Sequence, residues 1–114
     1  MKLTDKQAAF AYAVSDLIYW INSKPHNGAS YRVRFAHALR CRDCPVGMGN
    51  SLHKERLAVD LILDKLVNGS WVYQRSTKAY RFLGEKWETM HELARWGGRF
   101  GDGNHLSFEH GGRK

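Results

Sequence analysis

At 114 residues the chain has room for one domain, able to bury roughly two thirds of its unfolded surface around a single core. With 43% hydrophobic, 12% aromatic and 25% charged residues, the composition excludes a disordered tail. Lys and Arg outnumber Asp and Glu by 18 to 11, and the formal charge of +7 points to an anionic partner: nucleic acid, an acidic membrane surface or an anionic cell-wall polymer.

Thr4-Asp5-Lys6-Gln7 has the form of a capping box, with the Thr hydroxyl on one free amide and Gln7 reaching back. Phe10, Ala13, Val14, Leu17, Ile18 and Ile21 follow at helical spacing, so the first helix has one buried stripe, ended by Lys24-Pro25 and Asn27-Gly28. Asp5, Gln7 and Asp16 interrupt the apolar run, which is too short and polar for a bilayer span and lacks a cleavage site. Synthesis in the cytoplasm is expected. Ala29 to Arg32 reads as a short strand and Phe35 to Arg42 as a short helix broken at Cys44-Pro45. Arg32, Arg34, Arg40 and Arg42 make a basic cluster: either a solvated face, or a site in which one guanidinium clamps a carboxylate through its fork. Cys41 and Cys44 have no second pair at zinc-site spacing and read as two reduced thiols, or as a local disulfide in an oxidising compartment.

Ala58 to Leu63 alternates as a strand, with Asp60 and Ile62 on one face and Val59, Leu61 and Leu63 on the other. A carboxylate within so apolar a strand is costly unless paired or coordinated. Asn68-Gly69 is a two-residue hairpin signal, and Trp71 to Tyr73 continue into the partner strand. Ser76-Thr77 opens a second long helix, with Tyr80, Leu83, Trp87, Met90 and Ala94 on one face and a stop at Trp96-Gly97-Gly98. His105 to Phe108 reads as a last strand.

Two segments carry the chemistry. His53 and Asp60 flank and enter one strand, and His105 begins another; imidazole and carboxylate are fitting zinc ligands, and a catalytic site keeps three of them with one position open. Asp102, three residues before His105 with glycine on both sides, is the leading candidate for the general base, ahead of Glu109.

These residues resemble a known family. Ser51-x-His53-x-x-x-x-Ala58-x-Asp60 is similar to the S-x-H-x-x-G-x-A-x-D signature of zinc peptidoglycan peptidases: the D-Ala-D-Ala carboxypeptidases of the VanY and VanX type and the phage L-alanyl-D-glutamate endopeptidases. Asp102-Gly103-Asn104-His105 after Trp96-Gly97-Gly98 resembles their second signature, and Tyr31-Arg32 their upstream Y-R. The resemblance spans about Tyr31 to His110, with Arg56 in place of the usual glycine. It implies that His53, Asp60 and His105 bind Zn2+, that Asp102 activates the water on the zinc, and that Arg32 holds substrate or the developing oxyanion. The fold it implies is the small α+β domain shared with the hedgehog signalling domain, an antiparallel sheet flanked by helices. Residues 1–114 are then one zinc peptidase domain with no separate cell-wall-binding domain. The expected protein is a monomeric endolysin of a bacteriophage, made in the host cytoplasm and acting on peptidoglycan in the periplasm, its charge suited to the anionic envelope. Glu109 and His110 are left at its margin. Two other readings carry different consequences: a basic nucleic-acid-binding protein with a structural zinc, disfavoured because no finger, helix-turn-helix or stacking motif appears, and a zinc domain that binds without catalysing.

Overall fold

Phe10, Ala13, Val14, Leu17 and Ile21 line the buried stripe of helix α1 (Leu3–Ser23). The structure is a computed structural model that describes residues 2–36 and 55–112. The expected capping box does not form. The N-cap is Lys2, without a side-chain cap, and Gln7 Nε2 donates instead to the Glu55 carbonyl, 2.8 Å away. A tertiary acceptor has outcompeted the local one. Beyond Pro25 the chain reverses over Asn27 and Gly28, both at positive φ, with His26 and Ala29 exchanging backbone hydrogen bonds.

Strand β1 (Tyr31–Ala36) starts later than expected and runs through Phe35, where a helix was expected to begin. The rest of that expected helix, with Arg40, Arg42, Cys41 and Cys44, lies outside the described residues. Strand β2 (Ala58–Val67) is longer than its apolar run because pairing with β1 carries it on through Asp64 and Lys65. The Asn68-Gly69 turn then delivers β3 (Ser70–Gln74), both turn residues in the left-handed region that a two-residue hairpin requires.

Ser76 caps the next segment, its hydroxyl accepting from the Ala79 amide, but the first turn is a 3-10 turn (Thr77–Tyr80) before α2 (Arg81–Met90). The expected helix to Ala94 is cut short. His91 takes an extended backbone, and its ring Nδ1 accepts from the Leu93 amide at 3.0 Å. Ala94–Trp96 becomes strand β4, too short for alternation to announce it. A 3-10 turn (Gly97–Phe100) leads through a loop to β5 (His105–Phe108), the strand expected there.

The result is an α+β domain with a five-stranded antiparallel sheet. Long β2 is the spine: β1 lines one edge, while β3 and β5 share the other, pairing with its C-terminal and N-terminal parts. Leu61 and Leu63 face a core closed by α1 and α2, with Leu17, Ile21, Leu83, Trp87, Leu106 and Phe108 fully buried. Burying each such side chain is worth about 1.5–3 kcal/mol. The even-numbered residues of β2 face the other way. Among the described residues no helix is long and apolar enough to cross a membrane.

Candidate metal centre

Asp60 and His105 are direct cross-strand partners on β2 and β5, so their side chains leave the sheet on the same outward face. His105 Nδ1 lies 3.2 Å from Asp60 Oδ1, and both side chains are largely shielded from water. Asp102 joins them from the loop before β5. One ligand atom from each of the three lies within 4.8 Å of the others. Among the described residues no other set of three His, Cys, Asp or Glu side chains approaches so closely. Two carboxylates and an imidazole fit a divalent cation of borderline hardness. Asp102 is the exposed member of the three.

The sequence around Trp96 explains why the loop holds this shape. The Asp102 amide donates to the Gly97 carbonyl at 2.9 Å, and the His105 amide to the Asp102 carbonyl at 3.2 Å. A Cβ on Gly97 would stand 2.5 Å from the Asp102 carbonyl oxygen and 2.6 Å from His105 Cβ, so only glycine admits both residues. The Trp96 indole packs so closely on Gly84 and Gly98 that a Cβ at either would collide with the ring, and its Nε1–H donates to the Gly103 carbonyl at 2.7 Å. Gly101, at φ 84, makes the one left-handed turn in this loop. The Leu61 amide then bonds the Asn104 carbonyl, stitching the loop to β2 beside Asp60. Of the two glycines flanking Asp102, Gly101 supplies the backbone freedom the sequence suggested, whereas Gly103 permits close packing, a Cβ there standing 2.7 Å from Thr77 Cα.

Arg32 is on the same face but at the far end of β2. Its Nε donates to Asp64 Oδ2 at 2.8 Å, and Arg34 grips the same carboxylate with Nε and a terminal nitrogen at 2.8 and 3.0 Å. One of the basic cluster does clamp a carboxylate through its fork, and the carboxylate is internal. The Arg34 guanidinium, with Arg32 helping, holds the Asp64 carboxyl below the usual carboxylate range against the opposing effect of burial. Asp64 was missed in the sequence because the strand was ended at Leu63, although Asp60, Ile62 and Asp64 continue one alternation.

Ser51 and His53 lie outside the described residues. Arg56 does not, and its backbone is left-handed at φ 58. This is the position where the resembled signature has glycine. Glu109 and His110 turn away from the cluster: the Glu109 carboxylate lies 3.5 Å from Arg95, and His110 Nδ1 lies 3.0 Å from Lys6 Nζ. His26 and His91 are structural, stacked on Phe82 and Phe108 respectively.

Compared with known proteins, the chain matches no protein-family model, no curated protein and no solved structure.

Proposed function

We propose that the chain is a zinc peptidase that hydrolyses the peptide stem of bacterial peptidoglycan, as an endopeptidase or a D-Ala-D-Ala carboxypeptidase of the endolysin kind. The observation that carries this reading is the meeting of Asp60, His105 and Asp102 on the outward face of the sheet, within ligand distance of one another. The left-handed backbone at Arg56 adds weight, because it supplies a reason for glycine at that point of the signature and shows the turn kept without it.

His53, Asp60 and His105 would hold the metal, His53 by the resemblance alone. Bound there, zinc would supply Lewis acidity toward the scissile carbonyl and would make water easier to deprotonate near neutral pH. The Asp102 carboxylate, exposed and fixed by its loop, takes a proton from the attacking water. The water oxygen bonds to the carbonyl carbon, the C–N bond breaks, and the proton passes from Asp102 to the departing amine. Arg32, oriented by Asp64, faces the same side and holds a substrate carboxylate. This reading puts the protein's action at the cell wall in the periplasm, after synthesis in the host cytoplasm.

Digestion of purified sacculi with zinc-loaded protein tests the proposal, with new termini identified by mass spectrometry. A new N-terminal D-Glu marks the endopeptidase and released D-Ala the carboxypeptidase. Intact sacculi in the presence of protein shown to carry zinc would overturn it.

A further inference from the structure

Four residues along β2 from Asp60, about 13 Å away at ~3.3 Å per residue, the outward face changes character. Trp71 and Tyr73 of β3 stand on it, 41% and 46% exposed. Neither ring face is bare. The Arg32 guanidinium lies 4.6 Å from the Trp71 ring centre, and those of Arg34 and Arg75 lie 5.9 and 5.1 Å from Tyr73. Among the described residues, the carboxylate bonded to these guanidiniums is Asp64, buried and taken up by Arg32 and Arg34. Among the described residues here, three cations against one anion leave this part of the face positive, in keeping with the charge of the whole chain.

The arrangement favours one class of polymer. Single-stranded nucleic acid binds by stacking bases on open rings, and here guanidiniums already occupy positions over both rings. Arg32 and Arg34 are half exposed and Arg75 is exposed, and guanidiniums pair in two-point fashion with carboxylates, while the half-exposed rings offer apolar contact. We propose that the outward face of the β2–β3 hairpin grips a carboxylate-bearing peptidoglycan strand while the stem peptide reaches the Asp60–His105–Asp102 cluster. This rests on the peptidase reading above, and it assigns Trp71, Tyr73, Arg34 and Arg75 a binding role that the motifs did not suggest.

Co-sedimentation with purified sacculi separates the two claims. In an Asp102→Ala background, which removes digestion, the protein pellets with sacculi. Adding Trp71→Ala and Arg75→Ala lowers the affinity about tenfold, the loss expected for removing one charge and one apolar ring edge from the contact. The melting curve stays that of the parent, since both side chains are exposed. A single-stranded DNA oligonucleotide fails to displace the bound protein. Undiminished pelleting by the folded double variant, or displacement by the oligonucleotide, would overturn the proposal. Sacculi that are bound but never cut would sink the peptidase reading and leave the binding face standing. Cutting with an unchanged KM after Trp71→Ala and Arg75→Ala, in otherwise wild-type protein, would do the reverse.

Discussion

Strand β2 carries two carboxylates on one face, and their fates differ. Asp64, at the C-terminal part of the strand, is 2% exposed and bonded by two guanidiniums. Asp60, four residues earlier, faces an imidazole and a second, exposed carboxylate. The residue type, strand and side are the same; what differs is the burial and, above all, the partners. Two cations hold Asp64 in its charged form, whereas Asp60 faces an imidazole and a carboxylate, groups of the kind that ligate a metal ion.

Substitutions at the two ends should break the molecule in different ways. The largest effect is expected at Asp102→Ala, which removes the base and lowers kcat on peptidoglycan about 10³-fold, near 4 kcal/mol, while equilibrium dialysis finds zinc still bound. Asp60→Asn should weaken zinc binding by at least about a hundredfold, since even outer-shell changes cost up to that, and leave the urea midpoint of the metal-free protein little changed. Asp64→Asn reverses this pattern. Zinc is still taken up, but folding loses about 2 kcal/mol, less than for a fully buried pair because both guanidiniums are half in water.

Acid probes the same contrast without a new side chain at Asp60. The folded-state pKa of Asp64 is depressed, so its stabilisation is complete above the ordinary carboxyl value of about 3.9 and drains away as pH falls through the folded value. Urea unfolding of wild type and Asp64→Asn should therefore differ fully at pH 7 and converge steadily below about pH 4. A gap that persists undiminished into strong acid would remove Asp64's charge as its cause. The smallest effect belongs to Arg56→Gly. Relief of the left-handed backbone at φ 58 should raise stability by about 0.5–1 kcal/mol once glycine's greater unfolded freedom is subtracted, read as a higher melting temperature.

Much of this frame was legible in the residues. Asp60 stood out because a charge in an apolar strand demands a partner, and Asn68-Gly69 because few dipeptides favour two consecutive left-handed residues. His105 to Phe108, expected as the last strand, is β5. What stayed hidden was tertiary. Gln7 looked like half of a local cap, yet a carbonyl 48 residues away claimed it. Helix α2 stopped at Met90 because one imidazole folded back on a nearby amide, a choice no periodicity records. Asp64 was hidden by the polar residues that follow Leu63, although the sheet continues through them. The meeting of Asp102 with Asp60 was suggested by motif order, whereas the packing that enforces it, Gly97 against His105 and Trp96 against Gly84 and Gly98, could be seen only in three dimensions.

That indole has a consequence for motion. Opening the Asp102 loop means breaking the bond from the Trp96 Nε1–H to Gly103 and drawing the backbone away from a ring that is 2% exposed in the core. The free energy of such an excursion approaches that of unfolding the sheet, so in hydrogen exchange the amides of Asp102 and His105 should follow the slow core protons and not the fast surface turns. The loop is short and polar, yet it is expected to exchange as the interior does, and the Asp102 carboxylate inherits the stillness of the tryptophan beneath it.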